Sequence, residues 1–84
     1  MITLLYFARL RESFGMSSEQ AHPPAHVVDV HSLTAWLRQR GGAWQVELSQ
    51  NSPVRVAVNQ DMAGPDRAIC DGDEIAFFPP VTGG

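Results

Sequence analysis

The sequence predicts one α+β domain in which a mixed sheet packs on one main helix. Three observations carry that expectation. The chain opens and closes on its most apolar, β-forming segments, residues 2–8 and 74–78. Between them lies one amphipathic stretch of helical period, residues 30–40. The whole is 84 residues, which is room for a single core and no second one.

Residues 2–8, Ile2-Thr-Leu-Leu-Tyr-Phe-Ala8, are nearly all apolar, as expected of a central strand buried on both faces. Residues 9–18 are polar and contain Gly15, which suits a turn. A second strand is expected between Ser17 and Val28. Pro23-Pro24 interrupts it and points to a sheet edge, because proline has no N–H to give to a ladder. Asp29 is a fitting N-cap for the helix over 30–40, where Val30, Leu33 and Leu37 form one stripe with Trp36 at its border. Arg38 and Arg40 sit in its last turn, and Gly41-Gly42 supplies the stop. Residues 44–48 are apolar but too few to assign. Residues 54–58 alternate and form the third strand, 59–66 a loop with Gly64-Pro65, and Asp71-Gly-Asp73 a tight turn. Glu74-Ile-Ala-Phe-Phe78 is the last strand, ended by Pro79-Pro80. First and last strands, the most apolar, are expected to be parallel central neighbours. A sheet gripping one helix in this order is the β-grasp, or ubiquitin-like, arrangement. The domain is then residues 1–78, and 79–84 are an extended tail.

Composition narrows the function. Six basic residues, all arginine, stand against nine acidic ones, for a net charge of −3. Such a surface repels phosphate backbones, so nucleic acid is not an expected partner. No apolar run approaches the ~20 residues that span a bilayer, and the opening segment lacks the flanks of a secretory leader. One cysteine, Cys70, allows no internal disulfide. A cytoplasmic protein without a membrane partner is expected. With no lysine, any chemistry that needs an ε-amine must come from another protein.

The tail is the informative feature. Pro79 and Pro80 cannot continue the ladder and favour an extended path. From Pro80 to Gly84 the chain reaches roughly 16 Å. Gly83 and Gly84 have no side chains, so they are able to thread a channel too narrow for other residues. The reactive group is the Gly84 carboxylate, a poor electrophile until it is activated, typically as an acyl adenylate made with ATP and Mg²⁺. A persulfide sulfur attacking that adenylate leads to a terminal thiocarboxylate. Val81-Thr-Gly-Gly84 is slender, unbranched at its end and free of acids, as such chemistry asks.

The segment Asp71-Gly-Asp-Glu-Ile-Ala-Phe-Phe-Pro-Pro-Val-Thr-Gly-Gly84 resembles the C-terminal signature of the molybdopterin synthase small-subunit family (MoaD, within the MoaD/ThiS sulfur carriers). Tyr6-Phe-Ala-Arg-Leu-Arg-Glu12 and Val58-Asn-Gln60 resemble its first strand and third-strand end; residues 17–28 depart from it. The resemblance implies a β-grasp sulfur carrier with no permanently bound cofactor. Its Gly84 carboxylate would be adenylated by an E1-like enzyme using ATP and Mg²⁺, then sulfurated by a sulfur donor. Two carriers would sit on a dimer of the large subunit in a 2+2 heterotetramer. Gly84, with Gly83, would then carry sulfur to cyclic pyranopterin monophosphate, while Phe78, Pro79, Pro80, Val81 and Thr82 contact the partner. The catalytic lysines and arginines of that family belong to the large subunit. Three rival functions remain: a carrier for thiamin thiazole or another thiolated product, a ubiquitin-like modifier joined to lysines through Gly84, and a β-grasp interaction module with an inert tail.

Other residues have plainer expectations. Phe78 falls on the strand face opposite Ile75 and Phe77, and either docks a partner or packs on its own domain. Asp71, Asp73 and Glu74 form an acidic cluster that guides a basic partner or simply solvates a turn. Arg9 and Arg11 suit the surface. His22, His26 and His31 lack companions for a metal set. Cys70 suits a loop or core position better than a sulfur relay, and Trp36 and Trp44 suit packing. No serine–histidine–acid arrangement, phosphate-cradling loop or dinucleotide motif appears, so independent catalysis is not expected.

Overall fold

Five residues of the apolar opening run form β1 (Ile2–Tyr6), and the closing run forms β5 (Glu74–Phe78). They pair in parallel, with Leu4 opposite Ile75 and Tyr6 opposite Phe77, in a computed structural model that describes residues 1–50 and 53–80. β2 (Ser18–Ala21) is antiparallel to β1, and β3 (Arg55–Val58) is antiparallel to β5. β4 (Asp61–Met62) closes the sheet, in the order β2-β1-β5-β3-β4. This is the mixed β-grasp sheet, with β1 and β5 as central neighbours. Side chains alternate along both: Ile2, Leu4, Tyr6, Ile75 and Phe77 are buried, while Thr3, Leu5, Ala76 and Phe78 face the other way.

The main helix, α2 (Val30–Arg38), covers the buried face with Val30, Leu33 and Leu37. Leu33 and Leu37 are fully buried, which contributes about 1.5–3 kcal/mol each. Asp29 caps it through a reciprocal box: the Ser32 amide donates to Asp29 Oδ1 at 2.8 Å, and the Asp29 amide donates to Ser32 Oγ at 3.1 Å. The helix ends two residues earlier than its apolar pattern suggests. The amides of Gln39, Arg40 and Gly41 tighten onto the carbonyls of Trp36, Leu37 and Arg38, and Gly41 takes φ +77°.

Two further helices correct the expected turn at 9–18 and the unassigned stretch at 44–48. α1 (Ala8–Phe14) buries Leu10 and Phe14, and Gly15 ends it in the left-handed region at φ +72°. α3 (Gly42–Glu47) follows the main helix directly. Their packing explains why such short segments become helical. Phe14 and Trp44 stack at 3.7 Å between ring centroids, and both meet the edge of Tyr6, at 4.9 and 5.3 Å. Glu47 also binds α1, accepting from Ser13 Oγ at 2.7 Å and pairing with Arg9 Nε at 3.2 Å. Trp36 packs half-buried against the same core.

Pro23-Pro24 follows β2 and does not interrupt it. β2 is the edge strand, and the prolines lie in the segment leading to α2. The expected loop at 59–66 contains β4. Asn59 and Gln60, at φ +51° and +72°, make the two-residue turn joining β3 to it.

Candidate functional site

β5 is the element that delivers the tail. Its ladder ends where the Phe7 amide donates to the Phe77 carbonyl at 3.2 Å and where Arg55 pairs with Phe78. Pro79 and Pro80, half-buried, lead away from that point. Strand alternation puts Phe77 inside, fully buried, and Phe78 outside, half-buried. Val81 and Thr82, expected to contact the partner, and Gly83 and Gly84, expected to carry the chemistry, lie outside the described residues.

Phe78 does not stand alone. Leu5 and Ala76, its neighbours in the ladder, are half-buried on the same outer face, Ala57 is buried there, and Phe7 is 48% exposed at the end of β1. The buried residues of α1 and α2 join a cluster with Ile2, Leu4, Tyr6, Val58, Ile75 and Phe77, and that cluster does not include Ala57. Helices therefore cover one face of the sheet, and the outer face keeps an apolar patch around the root of the tail. The residues at this root are Phe7, Arg55, Phe78, Pro79 and Pro80, a surface for contact with one positive charge at its edge. Leu5 and Ala57 were not singled out from sequence. The signal was the unbroken apolar run of residues 2–8, which alternation divides between a core face and an outer face.

The acidic cluster lies at the other end of β5. Asp71 pairs with the N-terminal ammonium group, and the Gly72 amide donates to the Met1 carbonyl at 2.7 Å. Asp73 accepts from the Cys70 amide at 2.8 Å and from Asn59 Nδ2 at 3.0 Å, while the Glu74 amide donates to Asn59 Oδ1 at 3.0 Å. These hydrogen bonds hold the Asp73 carboxyl below its ordinary range, that from Cys70 most, and the N-terminal amine does the same for Asp71. The cluster organises the turn that starts the strand, a strand's length of roughly 16 Å from the tail. Cys70 is exposed in the preceding loop, and His22, His26 and His31 are exposed. Among the described residues no group of three or more His, Cys, Asp or Glu could hold a metal ion. Arg9 is tied to Glu47, and Arg11 is exposed on α1. No helix among the described residues is long and apolar enough to cross a membrane.

Known proteins share this arrangement. The chain is 39% identical over 84 residues to the molybdopterin synthase sulfur carrier subunit of Haemophilus influenzae, and 37% identical to that of Escherichia coli, with both chains of each pair fully covered. Among solved structures, a putative molybdopterin converting factor subunit 1 from Pyrococcus furiosus superposes with a TM-score of 0.77 at 26% identity, covering 95% of this chain and 97% of that one. A family model described as the ThiS family matches residues 4–84. With nearly its whole length matched, this chain belongs to the ThiS family.

Proposed function

We propose that this protein is the sulfur-carrier small subunit of a molybdopterin synthase. The observation that carries the proposal is β5: the middle of the sheet runs past an apolar outer face into Pro79-Pro80 and the Val81-Thr82-Gly83-Gly84 end. Full-length similarity to proteins named as carrier subunits of that synthase supports it, and favours it over a thiamin-thiazole carrier or a lysine-linked modifier.

In this mechanism an oxygen of the Gly84 carboxylate attacks the α-phosphorus of ATP, bound with Mg²⁺ in an E1-like activating enzyme, and pyrophosphate leaves. A persulfide on the sulfur donor then attacks the acyl carbon and AMP leaves. A thiol reduces the resulting acyl disulfide and frees the thiocarboxylate. Gly84 carries the sulfur, and Gly83 keeps the chain narrow enough to enter the large subunit's active site, where cyclic pyranopterin monophosphate takes the sulfur. Phe78, Pro79, Pro80, Val81 and Thr82 hold the partner, with Leu5, Ala57 and Ala76 extending the contact. Two carriers on a large-subunit dimer complete the assembly. Acids, bases and cations for the pterin steps come from the partner.

Incubation with an activating enzyme, ATP and a sulfur donor, followed by alkylation and trypsin, tests this. The peptide 68–84 contains one thiol, Cys70, and no methionine whose oxidation would mimic the mass of sulfur for oxygen. Two alkyl groups on it are expected; one alone, after full incubation, refutes the sulfur-carrier function. Co-purification with a large synthase subunit then selects the pterin pathway over the other carriers.

A further inference from the structure

The outer face of the sheet is charged at its two ends and apolar between them. β5 places Glu74, Ala76 and Phe78 on that face, β1 adds Leu5, and β3 adds Arg55 and Ala57. Arg55 stands directly opposite Phe78 at the root of the tail, a cross-strand neighbour about 5 Å away between Cβ atoms. Glu74 stands at the far end of β5, roughly 13 Å away. Asp61, Asp71 and Asp73 lie at that same end, where Arg67 and the N-terminal ammonium group offset part of their charge.

Arg55 is the unmatched charge on this face. Arg9 pairs with Glu47, Arg40 pairs with Glu19, and Arg38 donates to the Leu48 carbonyl at 3.1 Å. Arg55 is exposed and, among the described residues, makes no ion pair. In water that is no burden, but a protein that covers Phe78 also strips water from its cross-strand neighbour. A guanidinium cannot shed its proton, and burying it unpaired is costly. The covering protein must therefore bring an acceptor to that point, and a carboxylate fits the planar fork best.

We propose that Arg55 is a specificity-determining residue of the carrier, receiving a carboxylate of the large subunit beside the seat of Phe78. This rests on the carrier function proposed above and deepens it. The contact selects partner and orientation together. Turned end for end, the same carboxylate would meet Glu74 and the acids around it, and like charges brought together in an interface oppose binding. The matched orientation keeps the tail, which departs beside Arg55, at the carboxylate's side of the partner.

The test measures the Kd of the purified large subunit for the full chain at low and high salt. Arg55→Met removes the charge and keeps an apolar stem; it is expected to weaken binding roughly tenfold at low salt and to flatten the salt dependence. Arg55→Lys should restore part of the affinity and of the salt dependence, and Arg55→Glu should weaken binding roughly a hundredfold. Melting curves verify that the variants fold, as an exposed strand position leads one to expect. An Arg55→Met chain that binds like wild type, or that weakens with the wild-type salt dependence, overturns the carboxylate contact. Loss of binding by Phe78→Ala in the same series then keeps the carrier function standing. A wild-type chain that does not bind the large subunit overturns the carrier function and the role of Arg55 with it.

Discussion

Arg40 grips Glu19 with both arms of its guanidinium, Nη1 at 2.8 Å from Oε2 and Nη2 at 3.1 Å from Oε1. The same Oε2 accepts from the Tyr6 hydroxyl at 2.8 Å, and the Arg40 guanidinium lies 4.4 Å from the centre of the Trp44 ring. One carboxylate thus joins the edge strand β2, the central strand β1 and the end of the main helix. Burial pushes the Glu19 carboxyl up, but hydrogen bonds from Arg40 and Tyr6, with the Arg40 charge, outweigh it, so Glu19 ionises below its ordinary range. Burial, with Glu19 beside it, pushes the Tyr6 hydroxyl far up, so Tyr6 remains a donor at any working pH.

This sets a pH dependence. A carboxyl whose pKa falls on folding adds stability above its unfolded value, about 4.3 for Glu, and loses it as pH drops through the folded value. Asp29, Asp71 and Asp73 are lowered in the same sense. Unfolding stability should be level from about pH 7 to 5 and fall below about pH 4. Glu19→Gln should cost about 1 kcal/mol at neutral pH and less in acid, giving a flatter profile in urea titrations.

Adjacent phenylalanines should separate folding from recognition. Phe77→Ala removes a fully buried ring and should cost about 3–5 kcal/mol in denaturant melts. Phe78→Ala, on the outer face, should cost about 1 kcal/mol or less and weaken large-subunit binding by at least roughly tenfold. A Phe78 variant that melts like Phe77→Ala would place that ring in the core and remove the docking role.

The β3–β4 turn is a stability reserve. Asn59 is well chosen for its left-handed position and uses its side chain to bind Asp73 and the Glu74 amide. Gln60, also left-handed, makes the turn with the wrong residue type. Gln60→Gly should stabilise the protein by about 0.5 kcal/mol, and Asn59→Ala should destabilise it, both readable in thermal melts.

Removing Gly83 and Gly84, which have no side chains to bury, should leave the melting temperature unchanged and abolish the second alkylation of the C-terminal tryptic peptide. A truncated chain that still gains sulfur would exclude Gly84 as its bearer.

The β-grasp plan was legible wherever one segment states its own burial. Residues 2–8 and 74–78 are apolar enough to be central, and Val30, Leu33 and Leu37 have helical spacing. The misses share one cause. α1 has only Leu10 and Phe14 to bury, and α3 has no fully buried residue of its own, so neither has a local period strong enough to announce a helix. What makes them helical is the stacking of Phe14 on Trp44 around Tyr6, a meeting of three segments distant in sequence. β4 escaped notice because it is two residues long and its turn lacks the glycine that usually marks one. For the site, the chemistry proposed for the tail rests on its residue types alone, whereas the Phe78 patch needs the sheet to bring Leu5, Arg55 and Ala76 together.

The parallel pairing of β1 with β5 has a consequence for how the carrier is made. β1 is made well before β5, and its second edge stays open until β5 arrives to fill it. Such a long-range contact slows folding. A chain cut short before β5 loses the middle of its sheet together with the tail that follows it. Under the function proposed above, a partner that docks on the finished outer face therefore meets only chains whose sheet is complete.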